Sequence, residues 1–380
     1  MEQIKLFFDE ILKNTTPERP PWNKEVTLGS SPKWSYIDGC MTMAMLKMYE
    51  ATGNQDYLTF LDTFIDYYID EEGNILGFDI AEHNCDNINE GKVLYPLLRA
   101  TSKEKYEKAL KNLYAQLLEQ PRTPKGNFWH KEIYPNQIWL DGLYMVQPFY
   151  VQYDILFNQG KNQSDIFRQF QNSYQLMRDP KTGLLYHGVD ETKTAFWANA
   201  DTGCSQNFWT RSHGWYAMAL VDTIEFFDET HQEEKRMLIE QLKELLDTLL
   251  NFADPKTMMF YQVTDQGARE GNYLETSGTC AIAYALMKGA RLGYLSEGHF
   301  EKGAEILQSV VKHKLVKTDG EYVLKDICLV AGLGGMPGHG SYKVRDGSYE
   351  YYISEPIVTN DAKGIAPLVF AYAELIQHKE

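Results

Sequence analysis

Six stretches of the chain share one pattern of polar and hydrophobic positions. In each stretch a polar or charged residue precedes a glycine, and an apolar run with helical spacing follows. The glycines of these six junctions are Gly39, Gly91, Gly142, Gly214, Gly278 and Gly364. The runs are apolar on nearly all sides, which is typical of helices that are buried on both faces. The pattern therefore predicts six inner helices, and each interval is long enough to hold a second helix.

More charged, amphipathic stretches lie between the inner runs, at 57–69, 103–120, 164–177, 233–252 and 299–312. One apolar face and one polar face predict helices on the outside of the molecule. Each stretch ends in a turn and a short aromatic run, such as GLLYHGVD at 183–190, in which residue types alternate with the strand period. The repeated unit is thus an outer helix, a short β-like turn and an inner helix.

Six such units that close on themselves form an (α/α)6 barrel, an all-α toroid of six inner and six outer helices. An open solenoid of helix pairs is the alternative. We favour closure because residues that could catalyse a reaction or bind a ligand stand at the starts of the inner helices. A closed ring brings those starts to one face. The chain has 380 residues, a length that suits two or three ordinary domains. The repeat instead predicts one catalytic domain spanning 1–380.

The junction IWLDGLYM at 138–145 is the most informative of the six. Asp141 follows Trp139 by two positions and stands at the N-cap or in the first turn of the predicted helix. Gly142 can adopt backbone conformations that are closed to other residues. An acid beside an aromatic ring at the mouth of a helix suits a site that processes sugars. An ordinary N-cap is the alternative interpretation of Asp141.

Asp86 lies in HNCDNINEGK and occupies the second unit much as Asp141 occupies the third. Paired carboxyl groups across a cleft are the usual apparatus of glycoside cleavage. One of the two acids needs a raised pKa to donate a proton near neutrality, and burial or a like charge would raise that pKa. Asp38 stands at the corresponding place in the first unit, where we interpret it as an N-cap.

Aromatic and basic residues concentrate near the same junctions. Four of the seven tryptophans lie within five residues of a junction glycine, namely Trp34, Trp139, Trp209 and Trp215. Core tryptophans would be spread along the helices, so this clustering favours a wall on which sugar rings stack, with core packing of each ring as the alternative. His130 and His187 fall in matching β-like turns of successive units, which favours a role in the cleft over a structural one.

The net charge of −16 makes nucleic acid an improbable partner, and an anionic ligand would need a local basic pocket. Arg211 lies between Trp209 and Trp215, where its planar guanidinium could hold a carboxylate. An ion pair with an acid of the barrel wall is the alternative. No motif for phosphate binding and no cluster with metal-ligand spacing is present, so we predict neither a metal nor a cofactor.

The five cysteines are dispersed and form no CxxC motif, which predicts buried free thiols in a reducing compartment. The N-terminal sequence MEQIKLFFDEILKN carries acids early and lacks the features of a signal peptide. No apolar run approaches the ~18 residues of a membrane span. We therefore expect a cytoplasmic protein without a membrane partner, as a monomer or a homodimer.

Several of these motifs together resemble the unsaturated rhamnogalacturonyl hydrolases of glycoside hydrolase family 105, relatives of the unsaturated glucuronyl hydrolases of family 88. The matching motifs are WSYIDG, DNINEGK, IWLDGLYM, GLLYHG, NFWTRSHGW and ETSGT. The resemblance runs from about Trp34 to the final helix and implies the same (α/α)6 barrel. It also implies a small disaccharide substrate with a 4,5-unsaturated uronic acid at its non-reducing end.

By motif, the resemblance implies that Asp141 is the general acid and base and that Asp86 is a second essential acid. The expected substrate-binding residues are Trp34, Tyr36, His130, Trp139, His187, Trp209, Arg211, Trp215 and His339. The implied chemistry is hydration of an enol ether: C4 is protonated, water adds at C5, and the hemiketal opens and expels the neighbouring sugar. The segments Gly332–Ser341 and Ala195–Asn207 are the candidates for selecting that sugar.

Two other functions remain open at this point. A sugar epimerase or isomerase on the same barrel would use a pair of histidines as acid and base, for which His130, His187, His213 and His339 are candidates. A carbohydrate-binding toroid would bind sugar without turnover. Loss of activity on substitution of Asp141, rather than of His187, would distinguish the hydrolase from the epimerase.

Overall fold

The structure is a computed structural model, and it describes residues 1–335 and 343–378. Its helices are α1 (Glu2–Lys13), α2 (Lys24–Thr27), α3 (Tyr36–Thr52), α4 (Gln55–Tyr68), α5 (Leu94–Thr101), α6 (Glu104–Glu119), α7 (Leu140–Asn158), α8 (Gln163–Met177), α9 (Thr210–Ile224), α10 (Gln232–Leu250), α11 (Thr276–Arg291), α12 (Glu297–His313), α13 (Tyr349–Ser354) and α14 (Ala362–Gln377). Three 3₁₀ segments accompany them, at Ile80–Glu82, Cys85–Val93 and Glu229–His231.

The inner helices form a closed ring, which confirms the predicted (α/α)6 barrel. Following the chain, α3 packs against the 3₁₀ segment Cys85–Val93 that leads into α5, this segment packs against α7, and α7 packs against α9. Helix α9 then packs against α11, and α11 against α14. Helix α14 returns to α3, so the ring closes and the alternative of an open solenoid is excluded.

The outer layer consists of α4, α6, α8, α10 and α12, which correspond to the five predicted amphipathic stretches, and of α1. Helix α1 packs against α14 and supplies the sixth outer position from the start of the chain. It buries Ile4, Phe7, Phe8 and Ile11, whose spacing of three and four residues places them on one face. This periodicity was readable in the sequence and marks α1 as an outer helix.

The six junction glycines are explained by close packing of the backbone. None of them has a positive φ, so the expectation that Gly142 uses a special backbone conformation is wrong. A Cβ added to Gly142 would lie 2.8 Å from Nδ1 of His130, and one added to Gly214 would lie 2.6 Å from Cβ of Ala281. Each junction glycine therefore lets a neighbouring helix or side chain approach more closely than any other residue allows.

The β-like turns are short antiparallel pairs at the ends of the units. The strands are β1 (Gln137–Trp139), β2 (Gly188–Asp190), β3 (Leu315–Thr318), β4 (Glu321–Leu324), β5 (Ile327–Cys328) and β6 (Ile357–Val358). Strand β1 pairs with β2, β3 with β4, and β5 with β6. The first pair sets Trp139 opposite Gly188 and so joins the starts of two successive units next to Asp141.

Two further findings concern the cysteines and the lengths of the helices. All five cysteines are buried and unpaired, as predicted from their dispersed positions. In the part of the chain that the structure describes, no helix combines the length and the apolar character needed to cross a membrane.

Candidate active site

A cavity of about 250 Å³ opens at the end of the barrel where the inner helices begin. Its walls combine acids, cations and aromatic rings from most of the units. The lining residues are Glu25, Tyr36, Asp86, His130, Lys131, Tyr134, Trp139, Asp141, Met145, Trp209, Arg211, Trp215, Val330, Ala331, Arg345 and Lys363. The convergence of junction residues from separate units is the arrangement that ring closure predicts.

Asp141 lies in the first turn of α7, and Trp139 occupies the N-cap position. The carboxyl group of Asp141 lines the cavity although the residue is only 9% exposed. Its Oδ2 lies 3.1 Å from Nε2 of His187. Nδ1 of His187 in turn lies 2.8 Å from the hydroxyl of Tyr352, with which it shares a hydrogen bond. The acid is thus backed by a buried histidine whose ring is oriented by a tyrosine.

His187 is fully buried and does not line the cavity. The structure therefore places His187 beside the Asp141 carboxyl, 3.1 Å away, and not in the cavity wall where a substrate contact was expected. Its ring is packed against those of Trp139 and Trp209, with centroids 5.6 Å and 4.8 Å away. Nε2 of His187 and Oδ2 of Asp141 lie 3.1 Å apart without the geometry of a hydrogen bond, so the ring is held beside the carboxyl mainly by the surrounding aromatic rings and Tyr352.

Asp86 and its neighbours form the second charged group of the cavity. Nζ of Lys131 lies 2.6 Å from one carboxylate oxygen of Asp86, and Nε2 of His130 lies 3.8 Å from the other. Burial opposes ionisation of Asp86, but Lys131 and His130 outweigh it and lower the pKa of this carboxyl below its ordinary value. Asp86 is therefore a carboxylate, and it stands in the cavity as a fixed negative charge.

His130 is almost fully buried, and burial lowers its pKa to about 4 even though Asp86 favours the charged ring. At neutral pH the imidazole is accordingly uncharged. The ring stacks on Trp139 with centroids 4.4 Å apart, and Nδ1 faces the backbone of Gly142. His130 thus lies in the cavity wall as predicted, as a neutral polar group.

Three of the four predicted tryptophans line the cavity, namely Trp139, Trp209 and Trp215. Trp139 and Trp209 occupy the same N-cap position in α7 and α9, so the repeat itself places both rings at the mouth. Trp34 does not line the cavity. Its ring packs edge-on against Tyr68, and its Nε1 donates a hydrogen bond of 2.8 Å to the carbonyl of Asn87, so the binding role predicted for Trp34 is replaced by core packing.

Arg211 lines the cavity and is only 2% exposed. Its guanidinium donates to the hydroxyl of Ser277 at 3.2 Å and to the carbonyls of Cys328 and Leu329, and its centre lies 4.7 Å from the Trp209 ring centroid. Among the described residues no carboxylate lies within 4.0 Å of it, and its Nε is buried without a partner. The alternative of an ion pair with the barrel wall is therefore not realised.

The charges of the cavity differ from those of the whole protein. Four cationic side chains line it, from Lys131, Arg211, Arg345 and Lys363, against three carboxyl groups. The net charge of the chain is −16. Three of these cations are compensated, because Lys131 pairs with Asp86, Arg345 with Glu355 and Lys363 with Asp361. Among the described residues, Arg211 is therefore the lining cation that an anionic ligand could meet without a competing carboxylate.

The remaining residues that were singled out in the sequence lie partly in the cavity wall and partly in the core. Tyr36 lines the cavity, whereas His213 is fully buried outside it, and its Nε2 accepts a hydrogen bond of 3.1 Å from the backbone of Leu185. Asp38 is not an N-cap, because Ser35 occupies that position, and its carboxyl accepts hydrogen bonds from Trp22 and Asn23 inside the core. His339 lies outside the described residues.

Several residues in the cavity or next to it were not singled out from the sequence. Tyr134 stacks on Trp139 with ring centroids 4.8 Å apart, and Lys131 pairs with Asp86. Tyr352 lies outside the cavity wall and contacts His187. Lys363 stands directly before the sixth junction glycine, so the repeat pattern did contain a signal for it. Arg345 and Tyr352 come from the segment between β5 and β6. The repeated pattern of a glycine followed by an apolar run does not mark either residue.

Comparison with known proteins agrees with this geometry. The profile of Glycosyl Hydrolase Family 88 matches residues 9–379. A solved Clostridium acetobutylicum (C. acetobutylicum ATCC 824) glycoside hydrolase from family 105 is 44% identical, covers 98% of this chain and 99% of its own, and superposes with a TM-score of 0.90. A protein from Agrobacterium fabrum is 36% identical over 233 residues, which are 60% of this chain and 96% of that protein.

A further relative is the Bacillus subtilis unsaturated rhamnogalacturonyl hydrolase YesR, which is 25% identical over 68% of this chain and 72% of its own. The fold, the cavity and these matches together define a glycosidase. The chain belongs to the glycoside hydrolases of families 88 and 105.

Proposed function

We propose that this glycosidase removes a 4,5-unsaturated uronic acid from the non-reducing end of a disaccharide derived from rhamnogalacturonan. The observation that carries the proposal is the buried guanidinium of Arg211, which has no carboxylate within 4.0 Å among the described residues and shares a cavity with Asp141. A uronic acid brings such a carboxylate with it. The name of the relative YesR supports the rhamnogalacturonyl substrate.

The size and the walls of the cavity fit a terminal sugar. Its volume of about 250 Å³ is below the range of roughly 300–1,000 Å³ that is usual for drug-sized ligands. This space suits one sugar ring at a chain end better than an internal stretch of polysaccharide. The C4=C5 double bond flattens part of the ring, and the faces of Trp139, Trp209 and Trp215 offer flat stacking surfaces.

The reaction consumes one water and needs one proton carrier. The Asp141 carboxyl donates its proton to C4, which turns the enol ether into a cation shared by C5 and the ring oxygen. Water then adds at C5 and returns a proton to Asp141. The hemiketal opens by breaking the bond between C5 and the ring oxygen, which leaves a ketone at C5, and C1 then releases the neighbouring sugar as an alcohol. One residue acts as acid and then as base.

The fixed charge of Asp86 has a place in this scheme. Protonation of C4 generates positive charge on the ring, and a carboxylate that is already ionised stabilises that charge without reorganisation. Lys131 maintains the ionised state of Asp86 across a distance of 2.6 Å. His187 lies beside Asp141, and the neutral His130 separates the two acids.

The states of His130 and His213, two of the four candidate histidines, disfavour the epimerase alternative. A pair of histidines that acts as acid and base needs pKa values near neutrality. Burial lowers the pKa of His130 to about 4 and that of His213 to about 3. His213 also lies outside the cavity, with its Nε2 engaged by the backbone of Leu185.

The sugar next to the unsaturated residue is selected at the rim. Gly332 and Gly334 bring their backbone against the rings of Trp139 and Tyr134, where added Cβ atoms would lie 3.2 Å and 3.0 Å from ring atoms. Trp197, from the segment Ala195–Asn207, packs behind Trp139. These contacts favour a role for both segments in holding the rim of the cavity in place. Tyr134 and Arg345 are then the side chains that face the second sugar. Residues 336–341 of the segment Gly332–Ser341 lie outside the described residues.

We further propose that the chain is a single catalytic domain that acts in the cytoplasm as a monomer or homodimer. The closed ring of inner helices supports a single domain, because α1 from the start of the chain packs on the outside of this ring and α14 from its end completes it.

The reaction is tested in heavy water with an unsaturated galacturonyl-rhamnose disaccharide. The proposal predicts release of rhamnose, loss of the ultraviolet absorbance of the double bond, and one solvent deuterium at C4 of the product. Release of rhamnose with the absorbance retained would mean direct cleavage at the anomeric carbon and would contradict the proposal. Failure to release sugar from unsaturated disaccharides of either galacturonate or glucuronate would also contradict it.

A further inference from the structure

Glu275 carries a fully buried carboxyl group that the proposed reaction scheme does not use. It stands at the N-cap of α11, and its side chain accepts hydrogen bonds from the backbone of Ser277 at 3.0 Å and of Gly278 at 2.7 Å. These two bonds are those of an ordinary helix cap. The carboxyl also accepts two further bonds that a cap does not require, and both lead to partners of Arg211.

The first additional bond connects Glu275 to the guanidinium of Arg211 through one hydroxyl. Nη1 of Arg211 lies 3.2 Å from Oγ of Ser277, and this Oγ lies 2.6 Å from Oε1 of Glu275. Because a guanidinium can only donate, the serine oxygen is the acceptor in the bond with Arg211. The single proton of the serine hydroxyl is then directed to the carboxyl of Glu275. Glu275 thereby fixes this hydroxyl as an acceptor for Arg211.

The second additional bond holds the strand that binds the same guanidinium. The backbone N–H of Cys328 donates to Oε1 of Glu275 at 3.1 Å, and the carbonyl of Cys328 accepts from Nη1 of Arg211. One oxygen of Glu275 therefore fixes two acceptors of Nη1, which belong to separate elements. These acceptors are the hydroxyl of Ser277 on α11 and the carbonyl of Cys328 on β5.

The sixth unit contains a related arrangement that differs in one respect. Asp361 stands at the N-cap of α14 and pairs directly with Nζ of Lys363, which lines the cavity, at 2.9 Å. Between Glu275 and Arg211 a neutral hydroxyl is interposed instead. A direct ion pair competes with the carboxylate of a ligand, whereas a hydroxyl orients the guanidinium and leaves its charge available.

We infer that Glu275 is a positioning residue, which acts through Ser277 and Cys328 to hold Arg211 in the orientation that receives the carboxylate of the uronic acid. This role rests on the proposed function, because the proposed function assigns that carboxylate to Arg211. Glu275 does not line the cavity, so it acts on the substrate only through the guanidinium. Its loss should weaken recognition of the carboxylate and leave proton transfer by Asp141 intact.

The test compares the unsaturated galacturonyl-rhamnose disaccharide with its methyl ester, which has the same double bond and no carboxylate. The measured quantity is the ratio of kcat/KM for the acid to kcat/KM for the ester, from the loss of double-bond absorbance. The wild type should prefer the acid by about tenfold or more, because the ester cannot pair with the guanidinium. Ser277→Ala removes the linking hydroxyl and should lower this ratio severalfold, through a higher KM for the acid.

Two more single variants accompany Ser277→Ala. Glu275→Gln keeps the size of the side chain but places an N–H group where a donor is now accepted, so it should lower the ratio in the same way. Ser277→Ala decides the outcome if Glu275→Gln does not fold. Thr276→Val is the matched control, because its hydroxyl lies in the same turn and is bonded to the carbonyl of Lys325 at 2.6 Å. This control should keep the wild-type ratio.

A double variant separates positioning from general packing. In an Arg211→Met background, Ser277→Ala should have no further effect on the ratio, since the group that it positions is absent. An unchanged ratio in folded Ser277→Ala, an equal fall in Thr276→Val, or an effect that persists without Arg211 would overturn the role of Glu275 alone. A wild type that does not prefer the acid would overturn the assignment of the uronate to Arg211, and the role of Glu275 with it.

Discussion

Lys131→Met removes the ammonium that lies 2.6 Å from Asp86, and it tests whether the charge of Asp86 matters. Both side chains are largely buried, so water replaces the lost cation poorly. An opposite charge at this range lowers a carboxyl pKa by roughly 1–3 units. Without Lys131, the desolvation of Asp86 is no longer outweighed, and the pKa of this carboxyl rises.

The sign of the expected pH effect follows from this shift. In the wild type Asp86 stays ionised until the pH falls below its lowered pKa, whereas in the variant it takes up a proton at higher pH. The acid limb of kcat/KM should therefore move upward by roughly 1–3 pH units, with the largest loss of activity at acidic pH. The assay is the decay of the double-bond absorbance, measured across pH at substrate concentrations well below KM.

Two matched variants control this experiment. Lys131→Arg keeps the positive charge and should retain the wild-type acid limb. Lys125→Met removes an exposed cation from the same connection between α6 and β1, outside the residues that line the cavity, and should leave the profile unchanged. A drop in activity of Lys131→Met that is equal at all pH values would refute the reasoning, because Lys131 would then act on the substrate and not through Asp86.

Three further substitutions test single contacts. Gly142→Ala places a Cβ 2.8 Å from Nδ1 of His130 and should cost about 1–3 kcal/mol of unfolding free energy together with most of the activity. Gly298→Ala, whose Cβ would make only an ordinary contact of 3.7 Å with Oγ of Ser296, is the control and should not be destabilising in urea unfolding. Tyr352→Phe removes the hydroxyl that orients His187 and should lower kcat about tenfold with little change in KM; an unchanged kcat would contradict the positioning role. Trp34→Phe loses the hydrogen bond from the indole to the carbonyl of Asn87 and should cost about 1 kcal/mol of unfolding free energy while KM stays the same. A raised KM would mean that Trp34 does contact substrate.

The sequence predicted the barrel and much of the site because the informative pattern is local and repeated. A glycine followed by an apolar run marks the start of each inner helix. Ring closure then brings these starts to one cavity, which is lined by Asp86, Asp141, Trp139, Trp209, Trp215 and Arg211. The membership of families 88 and 105 confirms the resemblance that these motifs carry.

The remaining contacts depend on distant parts of the chain. Tyr352 orients His187 from 165 positions further on, and nothing near either residue signals the pairing. Trp34 stands at a junction like the cavity tryptophans, but Tyr68 and Asn87 hold its ring in the core. Asp38 likewise has the position of an N-cap in the sequence, and only the packing of Trp22 and Asn23 against it reveals a buried carboxyl.

The most direct test of the account is the rate of double-bond loss in Asp141→Asn, with an unsaturated galacturonyl-rhamnose disaccharide as substrate. Asparagine keeps the size of the side chain and removes the proton that C4 must receive. We predict a correctly folded variant whose rate falls by about 10²–10⁴-fold, with substrate binding retained. A variant that still consumes the double bond at a rate near that of the wild type would contradict the assignment of Asp141 and leave Asp86 as the next candidate.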